Sequence, residues 1–503
     1  MRLVRRPHLE DFRVIGHYTG IIINGLGLAM LAPLLTALAF AEWAVAVDFV
    51  ISIAVAFILG YGLLLVSRPR RHDLSWVQGM VVASFSWLVG MVVGALPYYL
   101  SFHYRSFLDA AFDVMSGFTT TGLVLIQDLD HVSNGINMWR HVLTYLGGQG
   151  MVVLALTFLV QDAAGAFKMY VGEAKDERLL PNVVHTARTI WFISLLYLAV
   201  GTLLQGLVGL SIGMQPVRAF LHGLWIFMAG WSTGGFAPMS QNVLYYHSAL
   251  FEAVTVLFFV AGSYNFGLHY AVWVGKRDEL VRNIEAVSFA ITSTLLGAVV
   301  IAGLERSGTY ANVATLLRKG YYLLISGHTT TGFQSIYGRQ LALEWGDLAL
   351  LGVITAMLFG GSAVSTAGGF KGLRIGLIFK ALVQEVRRLL APESAVVVEK
   401  FQYMREVVLE DGSVRNALLI VVLYLAMWGL GTAVGVISGF PVREALFESA
   451  SVTGNVGLSD GVTSAAMPSL LKTTYIVMMW AGRMEFMSVL ALLGFIWAGV
   501  RGK

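Results

Sequence analysis

Four stretches of this chain put the same residue types at the same spacing: Met115-Ser-Gly-Phe-Thr-Thr-Thr-Gly-Leu123, Met228-Ala-Gly-Trp-Ser-Thr-Gly-Gly-Phe236, Ile325-Ser-Gly-His-Thr-Thr-Thr-Gly-Phe333 and Ala450-Ser-Val-Thr-Gly-Asn-Val-Gly-Leu458. They align without a gap. Each has a small residue (Ser116, Ala229, Ser326, Ser451) six places before a glycine (Gly122, Gly235, Gly332, Gly457) and a large apolar residue directly after it. A single such stretch reads as a helix end capped by polar residues; four in the same slot point to a ring. Four equivalent loops around one axis can turn backbone carbonyls inward and replace the hydration shell of a monovalent cation. Glycine suits the position because a carbonyl turned to the axis needs backbone dihedrals that a side chain disfavours. The carbonyls would come from Thr120 and Thr121, Thr233 and Gly234, Thr330 and Thr331, and Asn455 and Val456, with the β-branched side chains bracing the loops from behind. The doubled Gly234 and Gly235 leave open which of them matches the other glycines. Nothing gathers the two or three carboxylates that a divalent cation would want. Nine residues before the glycines stand Asp113, Ile226, Leu323 and Glu448; the two acids either concentrate cations near the mouth, brace the loops, or bond the backbone of their own helices.

The elements that must position these loops lie in lipid. Of 503 residues, 57% are hydrophobic, 55 are glycine and only 13% are charged, against about 25% charged in a soluble domain. That excludes a soluble enzyme. A hydrocarbon core takes about 20 apolar residues per helix, and spans are expected near 18–41, 46–66, 76–100, 138–161, 186–212, 250–274, 283–304, 345–386, 414–438 and 471–499. The N-terminus, with Arg2, Arg5, Arg6 and Arg13, has no cleavable-signal pattern and is placed in the cytoplasm. Most of the 34 Lys and Arg then fall on the cytoplasmic face, in keeping with the positive-inside rule, and both termini lie there. The four motifs fall in external segments whose apolar stretches are too short to span, as re-entrant half-helices would be. The unit is helix, half-helix, glycine loop, helix, repeated four times after two additional helices, in an all-α polytopic membrane protein. Its boundaries are expected at 1–72 for the extension, then 73–170, 171–278, 279–400 and 401–503.

One span is interrupted. Gly360 to Gly369 holds four glycines, two serines and a threonine between two apolar helices, and each glycine would cost a helix about 1 kcal/mol relative to alanine. A broken helix at mid-membrane depth marks an ion pathway; the alternative is a glycine seam for close packing. Arg483 stands within the last span, where a charge is expensive and faces the interior. Glu485, two residues on, lies on another helix face. His141, His269 and His328 are candidates for proton handling, with plain hydrogen bonding the simpler reading of each.

These residues resemble the superfamily of potassium transporters that includes the bacterial Trk and Ktr systems and plant HKT proteins. The resemblance runs from about residue 75 to the end, and the two leading helices are similar to those of TrkH-type subunits. Leu146-Gly-Gly-Gln-Gly-Met151, Gly262-Ser-Tyr-Asn-Phe-Gly-Leu-His269 and Gly360-Gly-Ser-Ala-Val-Ser-Thr-Ala-Gly-Gly369 carry it further. It implies a potassium filter at the four loops, with potassium the bound and carried ion and no organic cofactor. It implies a gate below the filter made by Gly360, Gly361, Ser362, Ser365, Thr366, Gly368, Gly369 and Arg483. It also implies a homodimer in the bacterial inner membrane and a cytoplasmic TrkA-type nucleotide-binding subunit, since no nucleotide fingerprint occurs here. The small net charge of +4 gives no footprint for nucleic acid. The rival class is a secondary carrier for another cation or small solute, which would show inverted repeats and paired midplane charges.

Overall fold

A computed structural model describes residues 7–69, 74–126, 128–150 and 183–501. The far part of the span expected to reach residue 161 lies outside them, as do Arg2, Arg5, Arg6, Arg70, Arg71, Lys168, Lys175, Arg178 and Lys503. The described residues are helical except for loops and one hairpin, Lys400–Gln402 with Glu406–Val408, which the sequence reading did not contain. Among the described residues six helices are long and apolar enough to cross a bilayer, and counting each of two bent pairs as one span brings the number to eight. Their outward faces carry exposed Ile58, Leu65, Leu204, Leu295 and Val422. Exposed apolar area of that extent is a liability in water and the required surface in hydrocarbon, and the chain is a multi-pass membrane protein.

The two leading helices, Leu9–Ala39 with its break at Met30 and Trp43–Val66, pack against each other. The first begins at Leu9 rather than near 18, because Glu10 and Asp11 in its first turn favour the positive helix end. Between the two helices Glu42 accepts from the backbone N–H groups of Asn134 (2.7 Å) and Gly135 (2.9 Å). Its carboxylate thereby caps helix Asn134–Gln149, which is buried along nearly its whole length. The extension is thus bolted to the first unit rather than hung beside it.

Two spans that read as continuous are sharply broken. Ala249–Ser263 meets Phe266–Trp273 at 99°, and Ser469–Arg483 meets Met487–Arg501 at 113°. Hydropathy counts apolar residues without recording direction, so an apolar run carries through a corner unnoticed. The first corner is made by Asn265, whose Oδ1 accepts from Gly267 N at 2.7 Å and starts the new helix. The second is made by Glu485 (φ 48°) and Phe486 (φ 65°), both left-handed. The expected interruption is present too: Gly346–Phe359 ends at Gly360 and Gly372–Leu390 begins after Lys371.

Four short helices, Phe107–Phe118, Pro216–Trp231, Val313–His328 and Val442–Thr453, lie inside this frame. Each stops at the same place in its motif. Starts are set locally: Ser106 and Asn312 accept from the N3 backbone N–H, and Pro216 occupies the first helical position.

Candidate functional site

The four short helices end at Phe118, Trp231, His328 and Thr453, and the next residue but one is left-handed in every case: Thr120 (φ 55°), Thr233 (50°), Thr330 (54°) and Asn455 (55°). The backbone N–H one residue later returns to the carbonyl of the small residue noted in the sequence. Thr121 to Ser116, Gly234 to Ala229, Thr331 to Ser326 and Val456 to Ser451 are all 2.8 Å. This is the six-to-one bond of a left-handed helix stop. Asparagine tolerates that conformation; threonine does not, and each left-handed threonine costs about 1–3 kcal/mol unless its surroundings enforce it.

The glycines follow at φ 86°, 61°, 83° and 92° for Gly122, Gly235, Gly332 and Gly457. Gly235 is therefore the fourth member of the set, and Gly234 occupies the position of Thr121. In each loop one residue without a positive φ stands between two left-handed ones. A Cβ on Gly122 would overlap the Gly234 carbonyl oxygen, on Gly235 that of Thr331, on Gly332 that of Val456, and on Gly457 that of Thr121. First unit touches second, second third, third fourth, and fourth first. The loops form a closed ring in chain order, with all four negative helix ends directed at it. The threonines brace it from behind: Thr121 Oγ1 lies 2.7 Å from Thr119 Oγ1, and Thr331 Oγ1 lies 2.8 Å from Thr329 Oγ1. Asn455, which departs from threonine, donates to Thr121 Oγ1 (3.1 Å) and to Met479 O (2.9 Å), so it ties the last unit to the first.

On one side of the ring is a cavity of about 240 Å³ lined by Gly122, Gly235, Gly457, Arg140, Gln334 and Thr463. On the other side lies the segment from Gly360 to Lys371. Ser362 N donates to Ser263 O (2.9 Å), Ala363 N to Glu285 Oε1 (2.5 Å) and Gly372 N to Gly361 O (2.7 Å). The Thr366 hydroxyl sits 2.8 Å from Gly262 O, 3.0 Å from Trp231 O and 3.1 Å from the Thr233 hydroxyl. Gly368 N donates to Thr330 Oγ1 at 2.7 Å, and Gly368 packs on the Gly454 carbonyl so tightly that a Cβ would overlap it. The segment touches the second, third and fourth units. Arg483 supplies the first: it donates to Thr366 O and, at 2.7 and 3.3 Å, to Gly147 O and Gly148 O. The loop thus touches three units itself and is linked to the first through Arg483.

Arg483 caps loop carbonyls, at Thr366 of the interrupted segment and at Gly147 and Gly148 of the first unit. Glu485 turns away to an ion pair with Arg374 and to Lys371 at 4.0 Å. Sequence reasoning missed Lys371, whose Nζ donates to Ala367 O, and Glu285; the only signal for either was a charged residue beside an apolar run. Asp113 and Glu448 brace loops. Asp113 accepts from Leu125 N (2.7 Å) and the Tyr104 hydroxyl (2.9 Å), and Glu448 from Ser459 Oγ (2.9 Å) and Thr463 N (2.9 Å). The three histidines take the plain reading: His141 meets Asn137 O (2.7 Å), His269 Ala261 O (2.9 Å) and His328 Thr292 Oγ1 (2.7 Å).

Residues 46–496 match the model of a family described as TrkH, cation transport protein. An uncharacterized cation transporter of Methanocaldococcus jannaschii is 30% identical over 483 residues, 96% of this chain and 95% of the relative. The Trk system potassium uptake protein TrkH of Halomonas elongata is 28% identical and TrkG of Escherichia coli 27%, each covering 96% of this chain and 98% of the relative. Among solved structures, the potassium transporter TrkH from Vibrio parahaemolyticus superposes with a TM-score of 0.79 at 25% identity, over 96% of this chain and 98% of that one.

Proposed function

Because the chain belongs to the TrkH family of cation transport proteins, we propose that it takes up potassium through the four-loop ring. Carbonyls of Thr120, Thr121, Gly122, Thr233, Gly234, Gly235, Thr330, Thr331, Gly332, Asn455, Val456 and Gly457 replace the water around a dehydrated ion. The observation that carries this reading is the closed contact of each glycine with the next unit's carbonyl. A ring so built has a fixed bore, and the strained threonines are what a rigid one requires.

The segment Gly360–Gly369, with Ser362, Ser365 and Thr366, is the gate in this proposal, and Arg483 is its latch. Passage requires the segment to leave the axis, which breaks the Thr366 and Gly368 bonds to the ring. A cytoplasmic TrkA-type nucleotide-binding subunit supplies the force, and two copies of the chain pair in the membrane. Both termini face the cytoplasm of a bacterial inner membrane, with repeat boundaries at 73–170, 171–278, 279–400 and 401–503. The relatives named for potassium uptake support this reading. In vesicles carrying the purified protein, potassium uptake is expected with or without an imposed proton gradient. Uptake that requires the gradient would make the protein a proton symporter.

A further inference from the structure

We propose that a belt of polar staples, one at each junction between units, fixes the bore of the ring; the inference rests on the potassium-filter reading above. At every junction a residue in the outer part of a unit's second helix reaches the next unit. From helix Asn134–Gln149, Arg140 donates to Ala237 O at 2.9 Å, two residues past Gly235. From helix Ala249–Ser263, Glu252 accepts from Arg318 (2.7 Å) and Lys319 (2.8 Å) of the third short helix. From helix Gly346–Phe359, Asp347 approaches Arg443 of the fourth short helix at 3.3 Å. From helix Ser469–Arg483, Lys472 donates to Asp109 of the first short helix at 2.6 Å. The belt closes on itself in the same order as the ring.

Three of these staples also hold the strand that rises from the ring. Lys319 donates to Ser335 O (2.8 Å), three residues past Gly332, and Lys472 to Ala465 O (3.0 Å), eight past Gly457. Arg140 holds Ala237 directly and lies over the Phe236 ring, 4.6 Å from its centroid. Each cation therefore joins a filter strand to a neighbouring unit. A carbonyl ring chooses among ions by the spacing and number of its dipoles, so what sets that spacing sets the choice.

The belt is uneven. Arg140 and the carboxylates of Glu252 and Asp109 are buried, whereas Asp347 is 91% exposed and its pair with Arg443 lacks hydrogen-bond geometry. An exposed pair contributes little, whereas removing one partner of a buried pair leaves an uncompensated charge and is costly, so the third-to-fourth junction is loose and the others are sensitive to substitution. Lys319→Met, Glu252→Gln and Asp347→Asn are compared in vesicles for the ratio of potassium to sodium uptake, with Gly332→Ala alongside. The two buried-junction variants are expected to lose at least threefold in that ratio while still passing cations, and Asp347→Asn to match the parent. Glu252→Gln keeps the side-chain shape and decides the matter alone if Lys319→Met fails to reach the membrane. Parental selectivity in the buried-junction variants, or an equal loss in Asp347→Asn, overturns the belt while Gly332→Ala still loses selectivity. Parental selectivity in Gly332→Ala overturns the filter reading and the belt with it.

Discussion

Gly332 has a left-handed backbone and the Val456 carbonyl oxygen where a Cβ would stand. Gly308 is also left-handed (φ 66°) but has open space around it. Alanine at 308 is expected to lower stability by about 1 kcal/mol and leave uptake intact. Alanine at 332 pushes the fourth loop off the axis and is expected to abolish discrimination of potassium from sodium at normal expression; isotope uptake by the two variants separates strain from crowding. Arg483→Ala removes charge-assisted bonds to Thr366, Gly147 and Gly148, each worth about 1.5–3 kcal/mol. Rubidium uptake is expected to rise severalfold, and unchanged flux at every potassium level would remove Arg483 from the gate. The four glycines were legible in the sequence because side-chain absence is written there. The choice between Gly234 and Gly235 was not, since both lack a side chain and only the backbone, left-handed at 235, separates them.

Helix ends and corners determine what the proposed gate can do. Thr366 holds the interrupted segment to the second unit through its hydroxyl, and Thr366→Val keeps the shape while deleting those bonds. At about 1 kcal/mol per neutral bond, losing one donated and one accepted bond should raise the open population about thirtyfold, read as leak without any partner present. The interruption at Gly360–Gly369 announced itself by composition. The corners at Tyr264 and Met484 did not, because asparagine or a left-handed glutamate in an apolar run leaves hydropathy unchanged. Outside the membrane, Glu399 joins the hairpin to helix Gly372–Leu390 through Lys380 (2.8 Å) and Arg387 (2.6 Å). The Lys380 hydrogen bond chiefly holds its carboxyl below the ordinary glutamate value. A lowered native value means stabilisation present above the unfolded value and lost as pH falls through the native one. Hydrogen exchange of the hairpin amides, corrected for the intrinsic rate at each pH, should accelerate as pH drops below about 4.5, and Glu399→Gln should exchange fast at every pH.

At the scale of the whole molecule, the chain builds a fourfold arrangement from one polypeptide whose units differ in detail. The low charge and abundant glycine read from composition correspond to a lipid-facing exterior and a ring whose polar groups belong to the backbone. Fold class and the ring residues were readable because four copies of one pattern outweigh the ambiguity of each. The inter-unit staples were not, since Glu252 with Lys319 or Asp109 with Lys472 joins residues from different units, and one sequence carries no record of such pairing. If the ring selects potassium by replacing its water with carbonyls, competitive uptake of potassium, rubidium, sodium and lithium by vesicles holding the purified protein reads that selection out. Potassium and rubidium taken up alike, with sodium and lithium at least tenfold lower, is the predicted result; four ions entering at similar rates would contradict it.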